Sequence, residues 1–549
     1  MDIKEQANFI WSIADLLRGN FKQSEYGKVI LPFTVLRRFD CVLAPSKEEI
    51  LERNKSLAVS NKAPIFKKYT GHDYYNVSKF DFEKLIDDSN NIDTNLKDYI
   101  NGFSDDVKEI LDNFEIATII EKLKKAGLLY LVVQKFSEIN LGADTIDNLE
   151  MGYMFEELIR KFSEQSNETA GEHFTPREVI ELMVEVLLDT DLDEITTTDG
   201  KVITILDPAC GTGGMLSIAQ NKIRALNSRT TVVPFGQELN PETYATCKSD
   251  MILKNNTNSK IVFGNSFSED GFREQKFDYI LSNPPFGVEW KKVKNFIENE
   301  SKHKGYDGRF GAGTPRISDG SLLFLQHMIS KMQPIEKGGS RIGIVFNGSP
   351  LFSGDAGSGE SEIRKWIIEK DLLEAVIGLP DQLFYNTGIS TYVWILTNRK
   401  TDRRKGKIRL INGTSFFGKM RKSLGNKRNE ITESDRKEIV RLYSTYEHDE
   451  NYIDFDNDDF GYRKITIERP LYDENREVVV EKGNPKPNSK LRDTETVPFK
   501  EDIHEYFKRE VLPHVPDAWI DEKKTKIGYE IPFTRHFYKF TPLRESSVI

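Results

Sequence analysis

Between residues 202 and 397 short apolar strands alternate with amphipathic helices, and this alternation constrains the fold more than anything else in the chain. Strands are expected at Val202–Leu206, Thr231–Gln237, Ile261–Phe263, Phe277–Leu281, Ile342–Phe346, Leu373–Ile377 and Tyr392–Leu396. Helices are expected at Glu178–Leu188, Met215–Leu226, Thr243–Lys254 and Ser321–Met332, the last with Asp319 or Ser321 as a cap. Strands that are apolar throughout and separated by helices of this length imply a mostly parallel sheet covered on both faces. The class is therefore α/β, a Rossmann-like doubly wound arrangement.

The first strand runs into Asp207-Pro208-Ala209-Cys210-Gly211-Thr212-Gly213-Gly214 and then a helix. Ligands bind at the carboxyl ends of strands in such sheets, and glycines admit a ligand where a side chain would clash. The spacing is not GxGxxG, and no Walker Lys-Ser/Thr follows, so a pyrophosphate or nucleotide triphosphate is a poor fit. Asp207 offers a carboxylate to a cationic or amino-bearing group. Glu238, ending the second strand, can accept the hydroxyls of a ribose. A nucleoside with an amino-acid end and no phosphate describes S-adenosylmethionine.

The fourth strand leads into Asn283-Pro284-Pro285-Phe286. The prolines stiffen the loop and remove backbone donors, which leaves acceptors. The Asn283 side-chain oxygen and the Pro284 carbonyl can take hydrogen bonds from an –NH2 group and draw its lone pair toward a methyl donor. Pro285 holds the turn, and Phe286 offers a flat face to a base taken out of its stack.

Flanking regions differ in character. Residues 1–165 read as an all-helical domain, with apolar residues at helical spacing in Phe9–Leu17 and Val29–Leu36 and a polar break from Ser46 to Asn76 that suggests loops. The catalytic domain is expected over 166–415, and 416–549 as an extended, charged tail that docks on a partner. Arg399–Arg428 carries twelve Lys/Arg against one acid, Asp402. Trp366 and Trp394 are expected in the core, and His327 as structural.

The chain has 77 Lys+Arg and 87 Asp+Glu, a net charge of −10, which argues against a surface coated for nucleic acid. Any DNA contact must be local or assisted by a partner. No stretch approaches the ~20 apolar residues of a membrane helix, and no signal core follows Met1. Cys41, Cys210 and Cys247 form no metal pattern and suit a reducing, cytoplasmic setting. No metal site is expected.

Together these motifs resemble the amino-methyltransferases of DNA, and more closely the modification (M) subunits of type I restriction–modification systems. The resemblance spans the helical N-terminal third, Glu172-His173-Phe174-Thr175-Pro176-Arg177, the glycine loop, Asn-Pro-Pro-Phe and the tail around Val511–Trp519. It implies that Glu172, His173, Phe174, Thr175, Pro176 and Arg177 contact S-adenosylmethionine, as do Thr212, Gly213, Gly214 and Glu238. From the residues alone, 173–176 are only a loop before a helix, with Thr175 a candidate cap. Asn265 stands where many such enzymes carry an aspartate near the cofactor's adenine; it can bond that edge through its amide but supplies no charge. The activity implied is methylation of adenine N6 in DNA. The partner implied is a sequence-reading specificity (S) subunit shared by two M subunits; whether a restriction subunit also joins stays open. Arg399–Arg428 and Lys302–Gly311, the latter a mobile basic loop, are the candidate DNA contacts. Two alternatives stay open: an acceptor other than adenine (cytosine N4 or a protein glutamine), and a non-catalytic assembly subunit.

Overall fold

A computed structural model describes residues 3–165, 175–254, 256, 258–385, 387–424 and 426–537. The described residues of the first 165 are helical. The helix Tyr26–Leu43 runs through their centre. Its Ile30, Phe33, Leu36 and Phe39 are buried against residues such as Phe103, Ile110, Phe136 and Leu158. Arg38 is buried with them, and its guanidinium makes three hydrogen bonds. It donates to the carbonyls of Leu141 (2.5 Å) and Ile146 (2.9 Å) and to Asn148 Oδ1 (2.8 Å), which satisfies a charge that burial would otherwise penalise. The polar break expected over Ser46–Asn76 holds two helices, Lys47–Ser56 and Ala63–Thr70. Each buries one apolar side chain, Ile50 and Phe66 respectively, too few to write a helical period into the sequence.

The strands of the α/β region are β1 (Val202–Asp207), β2 (Thr231–Glu238), β3 (Lys260–Phe263), β4 (Tyr279–Ser282), β5 (Arg341–Asn347), β6 (Leu373–Gly378), β7 (Thr391–Thr397) and β8 (Lys407–Asn412). A hairpin of β9 (Gly418–Leu424) and β10 (Lys427–Glu430) follows, then β11 (Tyr452–Asp456). Nine of these form one sheet in the order β11-β8-β6-β7-β5-β4-β1-β2-β3. The pairings β1–β2, β2–β3, β1–β4, β4–β5 and β6–β8 are parallel. β7 enters antiparallel between β5 and β6, and β11 antiparallel at the edge.

Helices cover both faces. Val179, Leu182 and Leu187 of the helix Arg177–Leu188 share one core with Leu216 and Ile223 of Gly214–Leu226 and with Ile439 and Leu442 of Glu433–Ser444. On the other face Leu322, Leu325 and Met328 of Ser321–Ser330 and Ile363 and Ile367 of Gly359–Glu369 pack with Trp394. The N-terminal helices meet the sheet through the helix Pro241–Leu253: Tyr244 Oη and Lys248 Nζ each donate to the Glu109 carboxylate at 2.6 Å.

Several expectations need correction. The sheet continues past residue 415, because β11 pairs with β8 at its edge and the helix Glu433–Ser444 packs on its face; the dense charge of 399–459 hid them. The tail is not simply extended: β12 (Gly461–Glu468) pairs antiparallel with β15 (Asp493–Pro498), β16 (Trp519–Ile520) and β17 (Lys526–Tyr529), and a small hairpin of β13 (Val480–Glu481) and β14 (Asn484–Pro485) precedes them. This sheet docks on the helix Gly359–Glu369, where the buried Arg364 donates to the Tyr529 carbonyl at 2.6 Å. Lys302–Lys304 close a helix, Lys294–Lys304, and do not form a loop. Trp394 is fully buried, but Trp366 is only partly so and lines an open groove with Tyr306. His327 is buried beside Arg309, as a structural residue would be. Among the described residues no helix is long and apolar enough to cross a membrane.

Candidate functional site

The chain passes from β1 outward through β2 to β3 on one side, while β4 and β5 lie on the other. The strand order therefore reverses between β1 and β4, and the crevice at such a switch point is where α/β sheets bind ligands. Asp207 spans that point. Its Oδ1 accepts from Ser282 Oγ across the gap (2.9 Å) and from the Ala209 amide (3.0 Å). The carboxylate is buried under the loop, and burial pushes its pKa up to about 7. It does not line the cavity above; its observed work is to join the ends of β1 and β4.

Residues 208–214 turn sharply into the helix Gly214–Leu226. Gly211 (φ +53°) and Gly213 (φ +85°) adopt the left-handed region, and a Cβ at Gly213 would stand 2.6 Å from Cys247 Sγ. The loop is tethered to β2: the Cys210 amide donates to the Gln237 carbonyl (3.0 Å), and the Gly211 amide to Glu238 Oε2 (2.8 Å). The other Glu238 oxygen accepts from the Asn240 amide at 2.7 Å. Burial raises the Glu238 pKa, and the hydrogen bonds from the Asn240 and Gly211 amides oppose that rise.

A cavity of about 540 Å³ opens over these strand ends. Its walls include Gly211, Glu238, Asn265, Asn283 and Pro285. Thr212, Gly213 and Gly214 build the turn without forming part of that wall. Asn265 Oδ1 is already used by the amides of Phe267 (2.9 Å) and Ser268 (3.3 Å), so its amide NH2 is the group left for a ligand.

Asn283 follows β4 directly. Its Nδ2 donates to Thr175 Oγ1 at 2.9 Å, and its Oδ1 is buried without a partner. A buried acceptor left unpaired costs about 1–3 kcal/mol, a cost that a ligand donor removes. Thr175 therefore holds Asn283 and does not cap the next helix, whose cap position is Pro176 with no side-chain bond. Arg177 pairs with Glu181 (3.2 Å) and lies 3.9 Å from Glu156, away from the cavity wall. Phe286 is buried, its ring 6.5 Å from that of Phe384 in an edge-to-face contact, so packing rather than an open stacking face is what it presents. Pro284 contributes backbone only. Glu172, His173 and Phe174 lie outside the described residues.

The sequence reading missed part of the wall. Leu239 is 59% exposed immediately after Glu238, an apolar surface beside an acceptor, and Phe267, Trp290 and Phe324 line the same cavity. An exposed leucine next to a strand-end acid was the one available signal. Ser266 Oγ donates to the Pro208 carbonyl (2.5 Å) and binds the third strand's loop to the glycine loop. Arg309 fixes that wall from below: it donates to the carbonyls of Ser266 (2.9 Å) and Phe267 (2.6 Å) and is held by Glu300 (2.6 Å). Arg309 is thus committed within the fold and is no free contact for DNA.

The family model of the N-6 DNA methylases matches residues 147–460, and that of the HsdM N-terminal domain matches residues 6–136. The methylase subunit of a type I restriction enzyme from Methanocaldococcus jannaschii is 26% identical over 84% of this chain and 80% of its own length. Another, from Haemophilus influenzae, is 31% identical over 50% of this chain and 55% of its own length. Among solved structures, the methyltransferase subunit of a type I restriction–modification system from Streptococcus thermophilus superposes with a TM-score of 0.65 at 22% identity, over 83% of this chain and 96% of that one.

Proposed function

The chain belongs to the N-6 DNA methylase family, and from that premise we propose that it transfers a methyl group from S-adenosylmethionine to the N6 amine of adenine in DNA, as the modification subunit of a type I restriction–modification complex. The observation that carries the mechanism is Asn283: a buried acceptor without a partner, on the wall of the switch-point cavity, with its amide held the right way round by Thr175.

The cavity residues suit the cofactor. Glu238 has lone pairs for the ribose hydroxyls, Leu239 and Phe267 offer apolar surface to a purine, and Gly211 lets the backbone approach. When bound, S-adenosylmethionine supplies an electrophilic methyl on a sulfonium. Asn283 Oδ1 and the Pro284 carbonyl accept hydrogen bonds from the adenine amine, which withdraws its lone pair from the ring and turns it toward the cavity. No strong base is required at the outset, because the nitrogen becomes acidic only as its new bond forms. Preorganised acceptors of this kind act most strongly where water is excluded.

The remaining assignments follow the same reading. The helical first 165 residues and the small sheet after Gly461 flank a catalytic region that runs to the edge strand β11. Two such subunits share one specificity subunit, which reads the DNA, and a restriction subunit joins the complex. The setting is cytoplasmic.

The test is methyl transfer from labelled S-adenosylmethionine to unmodified genomic DNA, with and without a co-purified specificity subunit, followed by nucleoside analysis. N6-methyladenine that appears only with the partner supports chemistry and assembly together. Label on cytosine or on protein overturns the acceptor, and tight cofactor binding without any transfer overturns the catalytic role.

A further inference from the structure

The basic run Arg399–Arg428 is divided by a single strand. β8 runs parallel to β6, so its start lies at the edge of the sheet opposite the cavity and its end at the cavity edge. Members of the run before β8 therefore sit far from the site, and most are consumed by the fold. Arg399 forms a two-pronged pair with Asp191 (both bonds 2.6 Å), Lys400 is buried against Asp371 (2.6 Å), and buried Arg404 donates to the Tyr443 carbonyl. Within β8, Arg409 is buried against Asp454 (2.7 Å).

Members after β8 lie on the β9–β10 hairpin, at the cavity edge. Lys427 is buried and paired with Glu178, which anchors the hairpin to the helix Arg177–Leu188. Lys419, Arg421 and Arg428 are exposed, and none has an ion pair or side-chain hydrogen bond among the described residues. The hairpin's one acid is Glu430. Its turn and second strand are fixed to the loop that follows β6. Asn426 N–H donates to the Tyr385 carbonyl (2.8 Å), Arg428 N–H to the Gln382 carbonyl (2.9 Å) and Asn429 Nδ2 to the Asp381 carbonyl (2.8 Å). Phe384, in the same loop, makes the ring contact with Phe286 of the Asn-Pro-Pro-Phe segment. Three uncompensated cations are thus held on a platform that packs directly against the target-amine loop.

We infer that the β9–β10 hairpin is a phosphate-contacting element for duplex DNA, with Lys419, Arg421 and Arg428 as its cations. The inference rests on the DNA-methylating reading above. It reconciles that reading with a chain of net charge −10: affinity for a polyanion requires only a few phosphates neutralised beside the site, and each contributes about 0.9 to the slope of log K against log salt. Phosphate contacts place the duplex and carry no sequence information, which suits a subunit that leaves sequence reading to a partner.

The test measures binding of a labelled random-sequence duplex to the full-length chain across a salt series. Comparison is made between the natural protein, the double variant Lys419→Gln/Arg421→Gln, the variant Arg428→Gln, and Lys405→Gln, a cation of the same run at the opposite edge. The expected result is a salt slope shallower by about 0.9 per hairpin cation removed, with Lys405→Gln unchanged and cofactor affinity unchanged throughout. An unaltered slope in both hairpin variants, or an equal loss in Lys405→Gln, overturns the inference. Where the natural complex makes N6-methyladenine and the hairpin variants bind DNA normally, the hairpin alone is refuted. Absence of N6-methyladenine from the natural complex refutes the reading beneath it.

Discussion

Thr175 and Asn283, 108 residues apart in the chain, share a 2.9 Å hydrogen bond that orients the amide on which the proposed chemistry depends. The NH2 end is occupied by Thr175 Oγ1, and the carbonyl end is left for an incoming amine. The bond also links the segment before the helix Arg177–Leu188 to the loop after β4.

That link yields the first prediction. Asn283→Ala abolishes methyl transfer and leaves the dissociation constant for S-adenosylmethionine within a few-fold. Thr175→Val lowers kcat about two- to thirteenfold, the value of one net hydrogen bond of ~0.5–1.5 kcal/mol, and Thr175→Ser restores it. Single-turnover assays and calorimetry read the two effects separately; normal turnover in Asn283→Ala would refute the mechanism.

Glu238 combines two roles, since its carboxylate holds the Gly211 and Asn240 amides and stands on the cavity wall. Glu238→Ala is expected to weaken cofactor affinity by about 1.5–3 kcal/mol, the usual worth of hydrogen bonds to a charged group. Isothermal titration calorimetry measures it, and an unchanged affinity sinks the assignment.

Asp207 predicts a pH dependence of stability. Burial pushes its pKa from 3.8 to about 7 in the folded chain, so the folded state binds the extra proton more tightly than the unfolded one. Its stabilising contribution is therefore complete below about pH 4 and lost as pH rises through about 7. Asp207→Asn should flatten the cofactor-free denaturation midpoint over that window relative to the natural protein. A cationic cofactor favours the ionised form, so its affinity should rise over the same range, with proton release detected in buffers of different ionisation enthalpy.

Arg309 and Glu300 form a largely buried pair beneath the Ser266–Phe267 wall. Removing one partner from a buried pair costs about 3–5 kcal/mol, much of it the stranded charge. Arg309→Ala should accordingly destabilise the protein more than Arg309→Ala/Glu300→Gln does, while both variants weaken cofactor binding because the wall loses its tether. Urea titrations with and without cofactor measure both effects. Equal stability in the two variants argues against the stranded-charge account.

Much of the fold and part of the site are legible locally. The period of the apolar residues marks the strands and helices from 177 to 397, because a buried strand and a half-buried helix each stamp their own repeat on the sequence. Where burial is thin the pattern fails, as in the two helices between Ser46 and Asn76. It fails again beyond Thr397, where charged residues buried in pairs resemble a solvated surface until their partners are known. The stacking face expected of Phe286 illustrates the same limit: one residue's exposure depends on a neighbour, Phe384, from another strand's loop.

By itself the sequence determined the α/β class, the glycine loop at the end of β1 and the rigid loop at the end of β4. Each depends on local backbone: glycines at φ +53° and +85°, prolines without amide donors, and strands too apolar to lie at a surface. Long-range packing set which way Asn283 points, that β7 runs antiparallel between β5 and β6, and which cations of one basic run are buried in ion pairs and which are left facing solvent. Those outcomes are set by partners far away in sequence, as Asp191 is from Arg399 across 208 residues. A charge's cost or value is fixed by what desolvates and pairs it, and that is known only once the chain has closed on itself.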